Sequence, residues 1–123
     1  MKNWAFDVET EKREQELLVH MTLENLTEQE KNLDFSSGQI FELILKDSSG
    51  ETVYRFSDGK MFTMAIVQQT YGAGESQSFS EAVDISQLES GTYSLKAEIV
   101  AASIDGKELK DKEEFTASVE VEI

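Results

Sequence analysis

Residues 34–63 read DFSSGQIFELILKDSSGETVYRFSDGKMFT, and the spacing of their apolar and turn-forming residues decides the fold class. After Phe35 comes a small polar cluster, Ser36-Ser37-Gly38-Gln39. Its glycine can take the positive φ that a β-branched residue resists, so a turn between two strands is expected there. From Ile40 to Lys46 the period is two. Phe41, Leu43 and Leu45 share one face, while Ile40, Glu42, Ile44 and Lys46 form a mixed, partly covered opposite face. Asp47-Ser48-Ser49-Gly50 is a hairpin signal: the Asp carboxylate can accept a backbone N–H two residues on, and the glycine can turn left-handed. Residues 52–56 return as the partner strand. Ser57-Asp58-Gly59 then breaks the pattern, and Lys60-Met61-Phe62 emerges straight from the break.

The alternation continues on both sides. Trp4, Phe6 and Val8 line one face of a first strand, and the charged residues 10–15 suggest a turn. Leu17, Val19, Met21 and Leu23 make a second half-buried strand, and residues 25–32 lead into a short strand ending at Phe35. Downstream, residues 64–70 are a strand candidate, 71–75 a turn with two glycines, and 76–80 a short strand with Phe79 inward. Residues 81–90 lack alternation and read as a loop or a single helical turn pinned by Val83, Ile85 and Leu88. Tyr93, Leu95, Ala97 and Ile99 face one way, Asp105-Gly106 is the pair a type I′ hairpin favours, and Phe115, Ala117, Val119, Val121 and Ile123 alternate to the end. Roughly eight or nine short strands without a helix imply an all-β fold, a single antiparallel immunoglobulin-like β-sandwich over residues 1–123. The spacing Leu88, Gly91, Tyr93, Leu95 is a frequent feature of such sandwiches.

A chain of 123 residues fits one domain, able to bury roughly two-thirds of its unfolded surface. With 11 Lys and Arg against 25 Asp and Glu the formal net charge is −14, which repels phosphate backbones and anionic lipid; nucleic acid and membrane are not expected partners. Cys is absent, so the core rests on packing alone. The first residues carry Asp7 too early for a signal peptide's apolar core, and no later run would span a bilayer, so a cytoplasmic location is expected.

The run Phe35-Ser36-Ser37-Gly38-Gln39, with Phe41-Glu42-Leu43, Asp47, Arg55, Ser57 and Lys60-Met61-Phe62-Thr63, and later Gly74-Glu75, Phe79 and Gly91-Thr92-Tyr93, resembles the intracellular proteinase inhibitor (BsuPI-type) family of bacilli. The resemblance covers residues 25–93 and implies the same sandwich. It also implies an inhibitor or regulator of a subtilisin-type serine protease that blocks the active-site cleft. Its partner would be an intracellular serine protease or another protein.

The candidate contact loop is Ser57, Asp58, Gly59, Lys60, Met61 and Phe62. A subtilisin-type primary pocket accepts large apolar side chains, which Met61 or Phe62 would supply; alternatively both pack under the sandwich edge. Tyr71 and Gly72 form a second candidate loop, with Tyr71 as a partner contact or as an aromatic lid on the core. The single histidine, His20, lies opposite the apolar face of its strand, and no Gly-x-Ser-x-Gly turn presents a nucleophile, so an enzyme is not expected. Asp47, Glu51, Asp58 and Asp105 lie at turns without calcium-loop spacing; neither metal nor cofactor is expected. The competing function is a non-inhibitory immunoglobulin-like module that binds a partner through a sheet edge or loops. Long terminal strands with an unpaired edge allow a monomer or a weak dimer.

Overall fold

A computed structural model describes residues 2–123. Its strands are β1 (Trp4–Lys12), β2 (Glu16–Asn25), β3 (Lys31–Phe35), β4 (Phe41–Lys46), β5 (Thr52–Arg55), β6 (Val67–Tyr71), β7 (Ser76–Asp84), β8 (Thr92–Ile99), β9 (Ser103–Ile104), β10 (Lys107–Glu108) and β11 (Thr116–Glu122). Every pairing is antiparallel. One sheet has the order β1-β2-β7; the others run β11-β8-β4-β5 and β10-β9-β3-β6. The last two are joined: Val100 N–H donates to the Ile40 carbonyl at 2.9 Å and Ala102 N–H to Asp34 at 2.7 Å, so β3–β4 and β8–β9 bend together as one continuous layer. The all-β, antiparallel class expected from the alternation is therefore correct.

The period of two places the core. Leu17, Val19, Met21 and Leu23 on β2 have no exposed surface; the first three pack with Leu43, Leu45, Leu95 and Ala97 of β4 and β8, and Leu23 joins the second cluster. Each such Leu or Val removed from water contributes about 1.5–3 kcal/mol before entropy is charged against it. A second cluster holds Trp4, Leu33, Phe35, Tyr71, Ile99 and Phe115. In it Trp4 meets Tyr71 edge-on at 5.3 Å and Phe115 at the same separation. Glu114 fixes this end by accepting the N–H groups of Asn3 and Trp4, each at 2.8 Å.

The turns at Asp47–Gly50 and Asp105–Gly106 form with the expected chemistry. Asp47 accepts the N–H groups of Ser49 and Glu51, and Gly50 has φ 87°. At the type I′ position Asp105 has φ 50° and Gly106 φ 81°. Four expectations need correction. Strand β1 runs to Lys12 because Thr10, Glu11 and Lys12 still pair with Val19, Leu18 and Leu17; outward charges do not stop a strand whose backbone is paired. Strand β7 reaches Asp84 for the same reason, with Val83 opposite Leu17 and Asp84 opposite Glu16. Residues 64–66 lie in a loop and the strand begins at Val67. Gly38 does not take a positive φ; its lack of a side chain serves a close approach described below.

Two buried tyrosines differ in their hydroxyls. Tyr93 donates to the Glu89 carbonyl, four residues upstream, at 2.7 Å, a tyrosine-corner arrangement. The Tyr71 hydroxyl has no hydrogen-bond partner among the described residues. Burial, and then the nearby Glu75 carboxylate, push its pKa from 10.0 up to about 12. Tyr93→Phe is expected to cost about 1–2 kcal/mol in urea unfolding, whereas Tyr71→Phe leaves stability unchanged or raises it by up to about 1 kcal/mol. Because folding raises the Tyr71 pKa, its contribution is complete below the ordinary value of 10.0 and is lost as pH rises towards about 12. The alkaline loss should be smaller in Tyr71→Phe.

Candidate functional site

The strongest candidate is the loop that leaves β5 and crosses to β6. Its root is rigid. Phe56 N–H donates to the Leu43 carbonyl at 2.9 Å, and its ring lies 4.5 Å from that of Phe41, which in turn approaches Phe79 at 6.1 Å. The Glu42 carboxylate accepts the Ser57 N–H at 3.1 Å. The turn then closes through Asp58 N–H to the Arg55 carbonyl and Lys60 N–H to that of Ser57, with Gly59 at φ 75°.

Beyond the turn the side chains separate into holding and presented groups. The Lys60 ammonium sits 4.4 Å above the Phe56 ring and 4.0 Å from the Glu81 carboxylate on β7, which draws it back over the protein. Phe62 turns inward against Phe56, 6.2 Å between ring centres. Next, Gly38 N–H donates to the Thr63 carbonyl at 2.8 Å. A Cβ on Gly38 would stand 2.9 Å from the Thr63 Oγ1, so the glycine permits this backbone-to-backbone latch. Between and beyond these holds Met61 is 99% exposed, Met64 89% and Ile66 78%. From Met61 to Gly74 there is no charged residue, although the chain's net charge is −14. Negative charge collects beside the loop instead: burial first, then Glu81 and Glu42, raises the Tyr54 phenol above its ordinary pKa.

The six residues of the first candidate loop are thus contiguous at one end of the β4–β5 hairpin, but they do not act alike. Met61 projects fully into solvent, Phe62 is half-buried as an anchor, and Lys60 is engaged by its neighbours. The second candidate loop is not brought to this site. Tyr71 is wholly inside the core, as the lid alternative held, and Gly72 receives its carbonyl contact from Asn25 Nδ2 at 3.1 Å. Met64 and Ile66 were not foreseen. The available signal was the unbroken apolar run Met64-Ala65-Ile66-Val67, which fits poorly to a strand with one wet face.

The other sequence candidates have local roles. Asp105 accepts the Asn32 N–H at 2.9 Å and approaches Lys31 at 3.5 Å, which holds its carboxyl below the usual range. Hydrogen bonds, first from the Ser49 side chain, do the same for Asp47. His20 Nδ1 is 2.8 Å from Ser80 Oγ on the exposed face of β2 and β7. No group of three or more His, Cys, Asp or Glu among the described residues has metal-binding geometry, and no described helix is long and apolar enough to cross a membrane.

Together these features define an all-β protein that holds an uncharged apolar loop out into solvent from a braced aromatic base. The chain matches the family model described as BsuPI, intracellular proteinase inhibitor, over residues 4–104. It belongs to that family, which is one of inhibitors and not of enzymes. No curated protein matches it. Among solved structures it is similar to a penta-heme cytochrome c552 from Thermochromatium tepidum, with TM-score 0.54 and 12% identity over 99% of this chain. It is also similar to β-glucosidase 3B from Thermotoga neapolitana, with TM-score 0.49 and 11% identity over 95% of this chain. The chain spans 40% of the cytochrome and 15% of the glucosidase. At 12% identity the likeness to the cytochrome concerns the fold alone.

Proposed function

We propose that this protein acts in the cytoplasm as an inhibitor of a subtilisin-type serine protease, seating the loop of residues 60–66 in the active-site cleft with Met61 as the anchor. The observation that carries this reading is the presentation of Met61, Met64 and Ile66, at 99%, 89% and 78% exposure, by a member of a proteinase-inhibitor family. A large apolar side chain offered without a charge suits an apolar primary pocket, and charge depletion suits the buried centre of an interface. With Lys60 drawn back by Phe56 and Glu81, a pocket built for a cation would find no ligand here. The Gly38–Thr63 latch and the Phe56–Phe62 contact limit the ordering cost of binding. The acidic surface would steer a protease with a basic rim. The antiparallel layers and the tyrosine corner support the immunoglobulin-like form of the sandwich.

The second reading, a non-inhibitory interaction module, is favoured by β7, a nine-residue strand at the end of its sheet, where a partner strand could add. Titration of an intracellular subtilisin-type protease with the purified chain separates the two. Stoichiometric loss of activity with the chain intact by mass is the expected result, and a single cut near Met61 would locate the reactive bond. Full activity at large excess over several such proteases would sink the inhibitor reading in favour of the module.

A further inference from the structure

We propose that the contact loop is an oxidation-sensitive switch: conversion of Met61 and Met64 to their sulfoxides turns inhibition off. This inference rests on the inhibitor reading of the same loop. The chain contains four Met and no Cys, so thioethers are its only sulfur groups. Met61 and Met64 are 99% and 89% exposed, while Met21 is fully buried in the core. Susceptibility to oxidants follows access, so among the described methionines the two loop sulfurs react before Met21, which the fold protects. Trp4, the one tryptophan, is also buried.

The step balances with a hydroperoxide as oxidant. The thioether sulfur attacks one peroxide oxygen, the O–O bond breaks, an S–O bond forms, and the departing oxygen takes a proton to leave as water or alcohol. Sulfur loses two electrons and the peroxide gains them. A dithiol-dependent sulfoxide reductase would reverse the change. The product replaces a flexible apolar side chain with a strongly polar one, and an apolar pocket then has to strip water from an S–O dipole with no donor to replace it. The loop's base is apolar and aromatic and contains no sulfur, because Phe56, Phe62 and the Gly38–Thr63 latch hold it. Oxidation therefore alters what is presented without releasing the loop.

The test uses the full chain treated with hydrogen peroxide, freed of oxidant, mapped by peptide mass and titrated against a subtilisin-type protease. Expected are sulfoxides at Met61 and Met64 with Met21 unmodified, inhibition weakened by at least about tenfold, and an unchanged melting curve. Treating the oxidised chain with a dithiol-dependent methionine sulfoxide reductase should return both residues to their parent masses and restore inhibition. Undiminished inhibition by the doubly oxidised chain, or inhibition that stays lost after both sulfoxides are reduced, overturns the switch while leaving the inhibitor reading intact. Failure of the untreated chain to inhibit removes the inhibitor reading and the switch with it.

Discussion

Replacing Met61, Met64 and Ile66 together by Ser should weaken inhibition of a subtilisin-type protease by at least about a hundredfold, with a thermal midpoint within about 2 °C of the parent. The two halves of that expectation have separate causes. These three side chains touch little of the protein, since each is more than three-quarters exposed, and surface substitutions away from packed features usually change stability by less than about 0.5 kcal/mol. The same side chains provide the apolar area that a cleft would bury, and a few central anchors carry most of an interface's energy. Phe62→Ala should behave oppositely. It removes the ring that rests on Phe56, loosens the loop and lowers stability by about 1 kcal/mol or more. If the loop becomes mobile, slow cleavage between Lys60 and Met64 should appear by mass during incubation with protease. Ser substitution of all three presented residues with no loss of inhibition would transfer the contact to another part of the surface, β7 first.

The strands were legible because the alternation is strict where one face is buried. Leu17 to Leu23 and Tyr93 to Ile99 hide every second side chain, and no other period fits them. Strand ends were not legible, because Glu11 and Asp84 owe their pairing to a partner strand distant in sequence, and local charge says nothing of that. The loop was legible in part. Ser57-Asp58-Gly59 marked its start, but composition cannot tell which of two adjacent apolar residues points out, and Met61 and Phe62 part company only because Phe56 lies underneath. Gly38 was identified as a turn glycine, whereas its value is the space it leaves for Thr63, a neighbour twenty-five positions later in the chain. Asn25 is one polar residue in a polar connector, and nothing local in the sequence marks it as buried.

Asn25 nevertheless should be the most sensitive single polar position. It is the one polar residue in the buried core among the described residues. Its Nδ2 donates to the carbonyls of Gln29, Tyr71 and Gly72 at 2.8, 3.2 and 3.1 Å, and its Oδ1 accepts from the Thr27 N–H and hydroxyl at 3.0 and 2.7 Å. Through its backbone it also receives Gly74 N–H and donates to Glu75. It thereby ties the end of β2 to the β6–β7 turn, and β6 is the strand into which the candidate loop runs. Asn25→Leu removes both donor and acceptor while the Tyr71 carbonyl stays buried and those of Gln29 and Gly72 partly so, at about 1–3 kcal/mol for each buried group left unpaired. A total loss of about 3–5 kcal/mol is expected in urea unfolding, a large part of a domain's usual stability. Asn25→Asp discriminates the cause. The introduced carboxylate would face backbone carbonyls that need a donor, so its pKa is raised in the folded state. Stability of that variant is then retained below the ordinary carboxylate range and lost as pH rises through the raised value, opposite to the parent's acidic turns at Asp47, Asp84 and Asp105, whose lowered pKa values favour folding at higher pH. An Asn25→Asp variant as stable as the parent at neutral pH would show that the three carbonyls do not depend on this amide.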